Sequence, residues 1–187
     1  AKSDKDVFET VHTAILMAFI GGILMILVGN FVARPVLGWM GTPNDIIEDA
    51  ALYIRIYFCG MPALMVYNFG AAILRAVGDT KRPLYFLTFA GVINVLFNLF
   101  FVIVLHMGVA GVALATVISQ TISGVLVLYC LCQSEGVYRL SFRKLHIYTN
   151  KLWAILKVGL SAGFQSVLFN IANIMVQSSV NSFGSLV

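Results

Sequence analysis

Residues 84–132, LYFLTFAGVINVLFNLFFVIVLHMGVAGVALATVISQTISGVLVLYCLC, decide the fold. They hold two apolar runs, 84–105 and 109–132, separated only by His106-Met107-Gly108. A helix needs about 20 mostly apolar residues to cross the hydrocarbon core of a bilayer. Each run is therefore a membrane span, and the short junction forces the two into a tight antiparallel hairpin. Continuous apolar runs, instead of short alternating segments, point to helices and away from a membrane β-barrel. Working outward, three more runs of this kind occupy 11–33, 50–74 and 153–183, and no acidic residue lies inside any of the five. The expected fold is all-α, a polytopic membrane helix bundle with about five transmembrane helices.

Composition agrees. Sixty per cent of residues are hydrophobic, 11% are charged, and the mean hydropathy is +0.94. A soluble domain carries about 25% charged residues. The ends read as cut: residues 1–6 are a charged loop, 181–187 carry no charge, and nothing resembles a signal peptide. We therefore expect an internal piece of a longer chain.

The net charge of +4 is less informative than its distribution. Lys2 and Lys5 precede the first run, Arg75, Lys81 and Arg82 fall between the second and third, and Arg139, Arg143, Lys144 and Lys151 between the fourth and fifth. Lys and Arg concentrate in cytoplasmic loops, so the N-terminal loop, 75–83 and 133–152 are expected inside, in a plasma membrane. Orientation and anionic lipid account for such juxtamembrane clusters without any role in nucleic-acid binding. Cys59, Cys130 and Cys132 lack zinc spacing and read as small hydrophobes.

Breaks punctuate the runs. The first should end at Ala33-Arg34-Pro35, and Asn44 or Asp45 is placed to cap the start of the second. Arg55 is expected to snorkel to the headgroups. Pro62, in Gly60-Met61-Pro62, removes a backbone donor and should kink the second span near its middle. Gly111, Ala115 and Ser119, like Gly159 and Gly163, have the small-xxx-small spacing that lets a neighbouring backbone approach. Residues 133–152 form the one long connection, with Tyr138, Tyr148 and Trp153 as interface anchors. A domain boundary is expected there, giving 1–133, a cytoplasmic loop 134–152, and 153–187.

Polar side chains inside the spans are the first suspects for function. Asn68 follows Pro62; Asn94 and Asn98, four apart, share a helix face; Thr116 sits mid-span. An unpartnered amide in hydrocarbon costs several kcal/mol, so these groups must face the bundle interior, where they serve either helix adhesion or a ligand. In the fifth run, Ser166, Asn170, Asn173, Gln177 and Asn181 draw an amide stripe along one face, and a water-filled cavity beside it explains so many polar groups better than a dry contact. Enzyme chemistry finds little support. His12, His106 and His146 pair with no acid at useful spacing, and no phosphate loop, metal cluster or nucleophile elbow is present. No cofactor is expected.

One stretch goes beyond generic membrane chemistry: Gly70-Ala-Ala-Ile-Leu-Arg75-Ala-Val-Gly78-Asp79-Thr80-Lys81-Arg82-Pro83, followed by Asn94-x-x-x-Asn98 and by Gly108-Val-Ala-Gly111-Val-Ala-Leu-Ala-Thr116-Val-Ile-Ser119-Gln120. Read without a family, Gly78-Asp79 ends a span, Pro83 opens the next, and Asp79 bonds loop amides or pairs with Arg75 or Lys81. In this order the segments resemble the multidrug and toxic compound extrusion (MATE) family. The resemblance implies twelve helices in two six-helix lobes, of which 1–133 would supply helices three to six, 134–152 the inter-lobe loop, and 153–187 helix seven, the start of the C-terminal lobe. It also implies a secondary antiporter that exports cationic or amphipathic drugs and toxins in exchange for sodium ions or protons, by alternating access, and works as a monomer. Carried over residue by residue, the cation and substrate site would use Asn68, Asn94, Asn98 and Thr116, with sodium at Asn94 and Asn98. Asn170, Asn173 and Gln177 would line the cleft between lobes. Two positions depart from the family: Asn98 stands where some members have an aspartate, and Gln165 where a branch has a glutamate. The acidic coupling residue, on helix one, would lie outside these residues. A lipid-linked saccharide flippase of the same superfamily is the alternative; its cavity should carry several cations, whereas Arg55 is the one mid-bundle candidate.

Overall fold

The computed structural model describes residues 2–41 and 43–182, with side chains for 3–41 and 43–176. Among them are six α-helices and no strand: α1 (Lys2–Trp39), α2 (Ile47–Cys59), α3 (Met61–Ala76), α4 (Lys81–Leu99), α5 (Gly108–Gln133) and α6 (Thr149–Ser182). α4 continues into a wider π-helical turn, Phe100–Val104. Four helices are long and apolar enough to span a membrane, or five when α2 and α3, bent by 44°, count as one broken span. The all-helical membrane bundle read from the apolar runs is what the chain forms.

The chain divides into two units, Ala1–Ile147 and Tyr148–Val187. In the first, α1 packs on α2 and α3, while α5 touches α2, α3 and α4. Its buried centre joins Val11 and Ile15 of α1, Tyr67, Ala71 and Leu74 of α3, Val127, Cys130 and Leu131 of α5, and Leu140 of the following loop. The outer face of α4 is left exposed, with Leu84, Val92, Val95 and Leu96 all more than half accessible. Close helix approach depends on small residues. A Cβ at Gly22 would overlap the backbone of Pro62, and one at Gly70 would overlap Val127. Gly22 thus seats α1 against the bend between α2 and α3. α6, the second unit, is a single helix described by itself, and a Cβ at Gly159 or Gly163 would meet no atom within 4 Å.

The signature loop closes by a glycine helix stop. Gly78 takes φ +91°, its N–H reaches Arg75 O at 3.1 Å, and the Asp79 N–H reaches Leu74 O at 2.9 Å. This double bond pattern satisfies the last carbonyls of α3 and needs a residue with free access to positive φ. Asp79, one residue before the Thr80 N-cap, then ties down the start of α4, accepting the Arg82 backbone N–H at 3.1 Å through Oδ1. Its ionic partner is Arg82, with Nε at 3.2 Å, and not Arg75 or Lys81 as expected, because i,i+3 spacing puts Arg82 beside it.

Other expectations change as well. Residues 2–6 are helical, not a loop: Asp4 sits in the first turn, and Lys5 pairs with Glu9 at 3.8 Å. Both favour helix beyond the apolar run. α1 also continues through Pro35 to Trp39, and Arg34 there meets Glu48 of α2 at 2.7 Å. Pro35 removes one backbone donor, and the helix continues four residues beyond it. Neither Asn44 nor Asp45 caps α2; Ile46 holds that position without a side-chain bond. Tyr138 is partly buried and packs against the buried centre. Phe183, placed at the end of the fifth run, lies outside the described residues.

Candidate functional site

Asn94 and Asn98 stand one turn apart on α4 and face α5. Asn98 Nδ2 donates to Asn94 Oδ1 at 3.0 Å. Asn94 Nδ2 in turn reaches Ser119 Oγ at 3.2 Å and Thr116 Oγ1 at 3.4 Å. The two hydroxyls spend their own protons on helix carbonyls, Thr116 on Val112 O at 3.0 Å and Ser119 on Thr116 O at 2.9 Å. Their oxygens are therefore oriented as acceptors. Bonds of this length between helices are the expected use of amides in a membrane interior.

The network opens onto a groove of about 390 Å³ between α3, α4 and α5. Asn68, Asn94, Thr116, Ser119, Gln120 and Ser123 supply its polar wall, and Leu64, Leu87 and Ala90 part of its apolar one. Asn68 lines this groove with an exposed side chain, and Asn98 joins through Asn94 without lining it. All four expected site residues thus belong to one region. Two buried oxygens, Asn98 Oδ1 and Gln120 Oε1, have no hydrogen-bond partner among the described residues. Buried polar atoms are rarely left so, and an unmet acceptor costs about 1–3 kcal/mol. Gln120 Oε1 also sits beside the bend, 2.5 Å from where a Gly60 Cβ would fall, so the broken span abuts the groove. Among the described residues, those lining the groove include no Asp or Glu.

Ser119, Gln120 and Ser123 escaped the sequence reading as site residues. Ser119 read as a packing residue, yet Thr116, Ser119, Gln120 and Ser123 follow steps of three, one and three, which is one helix face. On α6, Asn170 and Asn173 are exposed; Gln165, Ser166, Phe169 and Asn170 line one shallow depression. The side chains of Gln177 and Asn181 lie outside the described residues.

His12 is fully buried in α1. Its Nδ1 lies 2.9 Å from Phe8 O, and its Nε2 accepts the backbone N–H of Ser141 at 3.1 Å. A carbonyl only accepts and an amide N–H only donates, so the ring is the neutral Nδ1–H tautomer. With Leu140 buried and its N–H on Leu131 O at 3.0 Å, this bond fastens the loop after α5 to α1. Arg82 Nη1 reaches Cys130 Sγ at 3.5 Å, and Lys144 Nζ lies 6.0 Å from the Phe8 ring. The basic segments around Lys5, Arg82 and Lys144 therefore share one end of the first unit.

Residues 1–100 match the MatE family model. The probable multidrug resistance protein YoeA of Bacillus subtilis (strain 168) is 33% identical over 196 residues, covering 99% of this chain and 42% of that protein. YpnP of the same organism, also described as a probable multidrug resistance protein, is 35% identical over 156 residues, covering 83% of this chain and 35% of its own. Among solved structures, an outward-facing multidrug resistance MATE family transporter of the MOP superfamily superimposes with a TM-score of 0.84 at 23% identity, over 94% of this chain and 40% of that one. The fold is thus shared with that transporter. The chain spans less than half the length of these relatives.

Proposed function

The chain belongs to the MatE family, and from that premise we propose that it forms part of a secondary antiporter exporting cationic or amphipathic small molecules across the plasma membrane. Members of this family are transporters and not enzymes. The names of YoeA and YpnP, probable multidrug resistance proteins, favour this substrate class. The observation that carries the reading is the Asn94, Asn98, Thr116 and Ser119 network opening on a groove, with Asn98 Oδ1 and Gln120 Oε1 unmet beside it.

Oriented hydroxyl and amide oxygens suit a hard cation, which prefers oxygen ligands. Sodium at Asn94 and Asn98 would use Asn98 Oδ1, with Thr116 and Ser119 adding oxygen. An amide cannot release a proton, so proton coupling would require a carboxylate from outside these residues, such as the helix-one aspartate implied by the family resemblance. Asn68 would meet the substrate, and Asn170, Asn173 and Gln177 would line the cleft between lobes. Broken spans beside a polar site are a recurring transporter device, and the bend at Gly60 meets that description. The residue 2–6 segment, 75–83 and 133–152 would face the cytoplasm; the cations around Lys5, Arg82 and Lys144 gathering at one end of the first unit support this.

Proteoliposomes holding the full-length transporter, loaded with a fluorescent organic cation and given an imposed sodium or proton gradient, test the proposal. Movement of the dye driven by one of the two gradients is expected. Dye movement indifferent to both gradients would overturn it.

A further inference from the structure

A second groove, of about 430 Å³, lies between the start of α4 and the end of α5, lined by Arg82, Phe86, Leu126, Tyr129, Cys130 and Gln133. We propose that it is a binding site for an anionic glycerophospholipid, with the phosphate held by Arg82, Tyr129 and Gln133 and an acyl chain lying along Phe86 and Leu126. The proposal needs only that these helices cross a bilayer. It does not depend on the polar groove binding drug or ion.

The donors are built in and partly unspent. Arg82 commits Nε to Asp79 and one Nη1 proton to the weak acceptor Cys130 Sγ; its side chain stays 57% accessible. Five N–H groups in a planar fork leave donors for a phosphate. Tyr129 OH accepts the Gln133 amide at 2.8 Å, which leaves the phenol proton free to donate outward, and Tyr129 is exposed. The groove is thus amphipathic along its length. Arg82 and Gln133, at the first turn of α4 and the last residue of α5, form its polar head; Phe86 and Leu126 lie one to two turns deeper, toward the membrane middle.

Charge favours the same ligand. Arg75, Lys81 and Arg82 outweigh Asp79 across the α3–α4 loop, and basic pockets between helices at a membrane face attract anionic headgroups. Asp79 occupies the Nε of Arg82, so a phosphate would use the remaining guanidinium donors, in the groove that Arg82 shares with Tyr129. A zwitterionic headgroup would bring its own cation beside Arg82 and gain less.

The full-length transporter in nanodiscs or detergent, titrated with phosphatidylglycerol and with phosphatidylcholine, tests this by thermal shift and by native mass spectrometry of retained lipid. Phosphatidylglycerol should bind and stabilise more strongly than phosphatidylcholine, and free glycerol phosphate should do neither. Arg82→Gln should lose about fivefold in phosphatidylglycerol affinity, and Tyr129→Phe, which leaves the Asp79 pair intact, should lose a smaller but measurable factor. Lys81→Gln removes the same charge outside the groove and should lose clearly less than Arg82→Gln, since it gives up only the diffuse attraction. Equal losses in Arg82→Gln and Lys81→Gln would mean diffuse attraction and overturn the site. So would unchanged lipid retention in Arg82→Gln and Tyr129→Phe, which would mean that another helix or a second copy covers the groove.

Discussion

Replacing Asn94 by Ala separates a ligand site from simple helix adhesion, because the structure limits what adhesion can explain. The substitution removes two contacts from α4 to α5, at 3.2 and 3.4 Å, and the acceptor of Asn98 Nδ2. Thr116 and Ser119 keep their bonds to Val112 O and Thr116 O, so neither hydroxyl is stranded. Interhelical bonds in membranes average about 0.6 kcal/mol and reach about 1.7 kcal/mol. Two such contacts, with the stranded Asn98 amide, place the stability loss at roughly 1–3 kcal/mol. A pure adhesion role predicts that loss and normal efflux per folded transporter. A ligand role adds a functional defect: losing about 1.4 kcal/mol of cation binding is tenfold in affinity. The assay pairs thermal unfolding of the purified transporter with gradient-driven efflux normalised to surface-expressed protein. We expect efflux to fall by up to about tenfold when the coupling cation is kept below its dissociation constant. Wild-type efflux alongside a lowered unfolding temperature would refute the site assignment.

Two further outcomes follow from the packing. Gly22→Ala pushes a Cβ into the backbone of Pro62, and overpacking of this kind should cost about 1–3 kcal/mol, read as a lower unfolding temperature; an unchanged one would mean that α1 does not rest on the bend. His12→Ala removes a fully buried ring and strands the Ser141 N–H, a loss of about 2–4 kcal/mol. Limited trypsin digestion should then cut faster at Arg139, Arg143 or Lys144, whereas wild-type cleavage rates would show that the loop is held by other contacts.

Hydropathy made the bundle legible because crossing a bilayer demands long uninterrupted apolar runs. Gly60-Met61-Pro62 announced the bend for a reason equally local, the missing donor of Pro62. Helix extending into water at residues 2–6 left no such mark, since its support is a charge pair and a first-turn acid that hydropathy scores as loop. The site was half visible. Asn68, Asn94, Asn98 and Thr116 stood out as amides and a hydroxyl in hydrocarbon, and the structure gathers them in one region. Ser119 and Ser123 were hidden because a serine at small-residue spacing serves packing and hydrogen bonding equally well. His12 was beyond sequence reasoning, because its partner Ser141 lies 129 positions away and is a backbone group.

Export through this site requires the polar groove to be wet within the membrane. Thiol accessibility in the full-length transporter, with Cys59, Cys130 and Cys132 first replaced by Ala, measures this most directly. In proteoliposomes exposed on both sides to a charged, membrane-impermeant thiosulfonate, Asn68→Cys should be modified, and a transported cation should slow the reaction. Leu96→Cys, on the exposed outer face of α4, should stay inert until the protein is denatured. If Asn68→Cys is as unreactive as Leu96→Cys in the folded transporter, the groove is dry and the exporter reading of this site is contradicted.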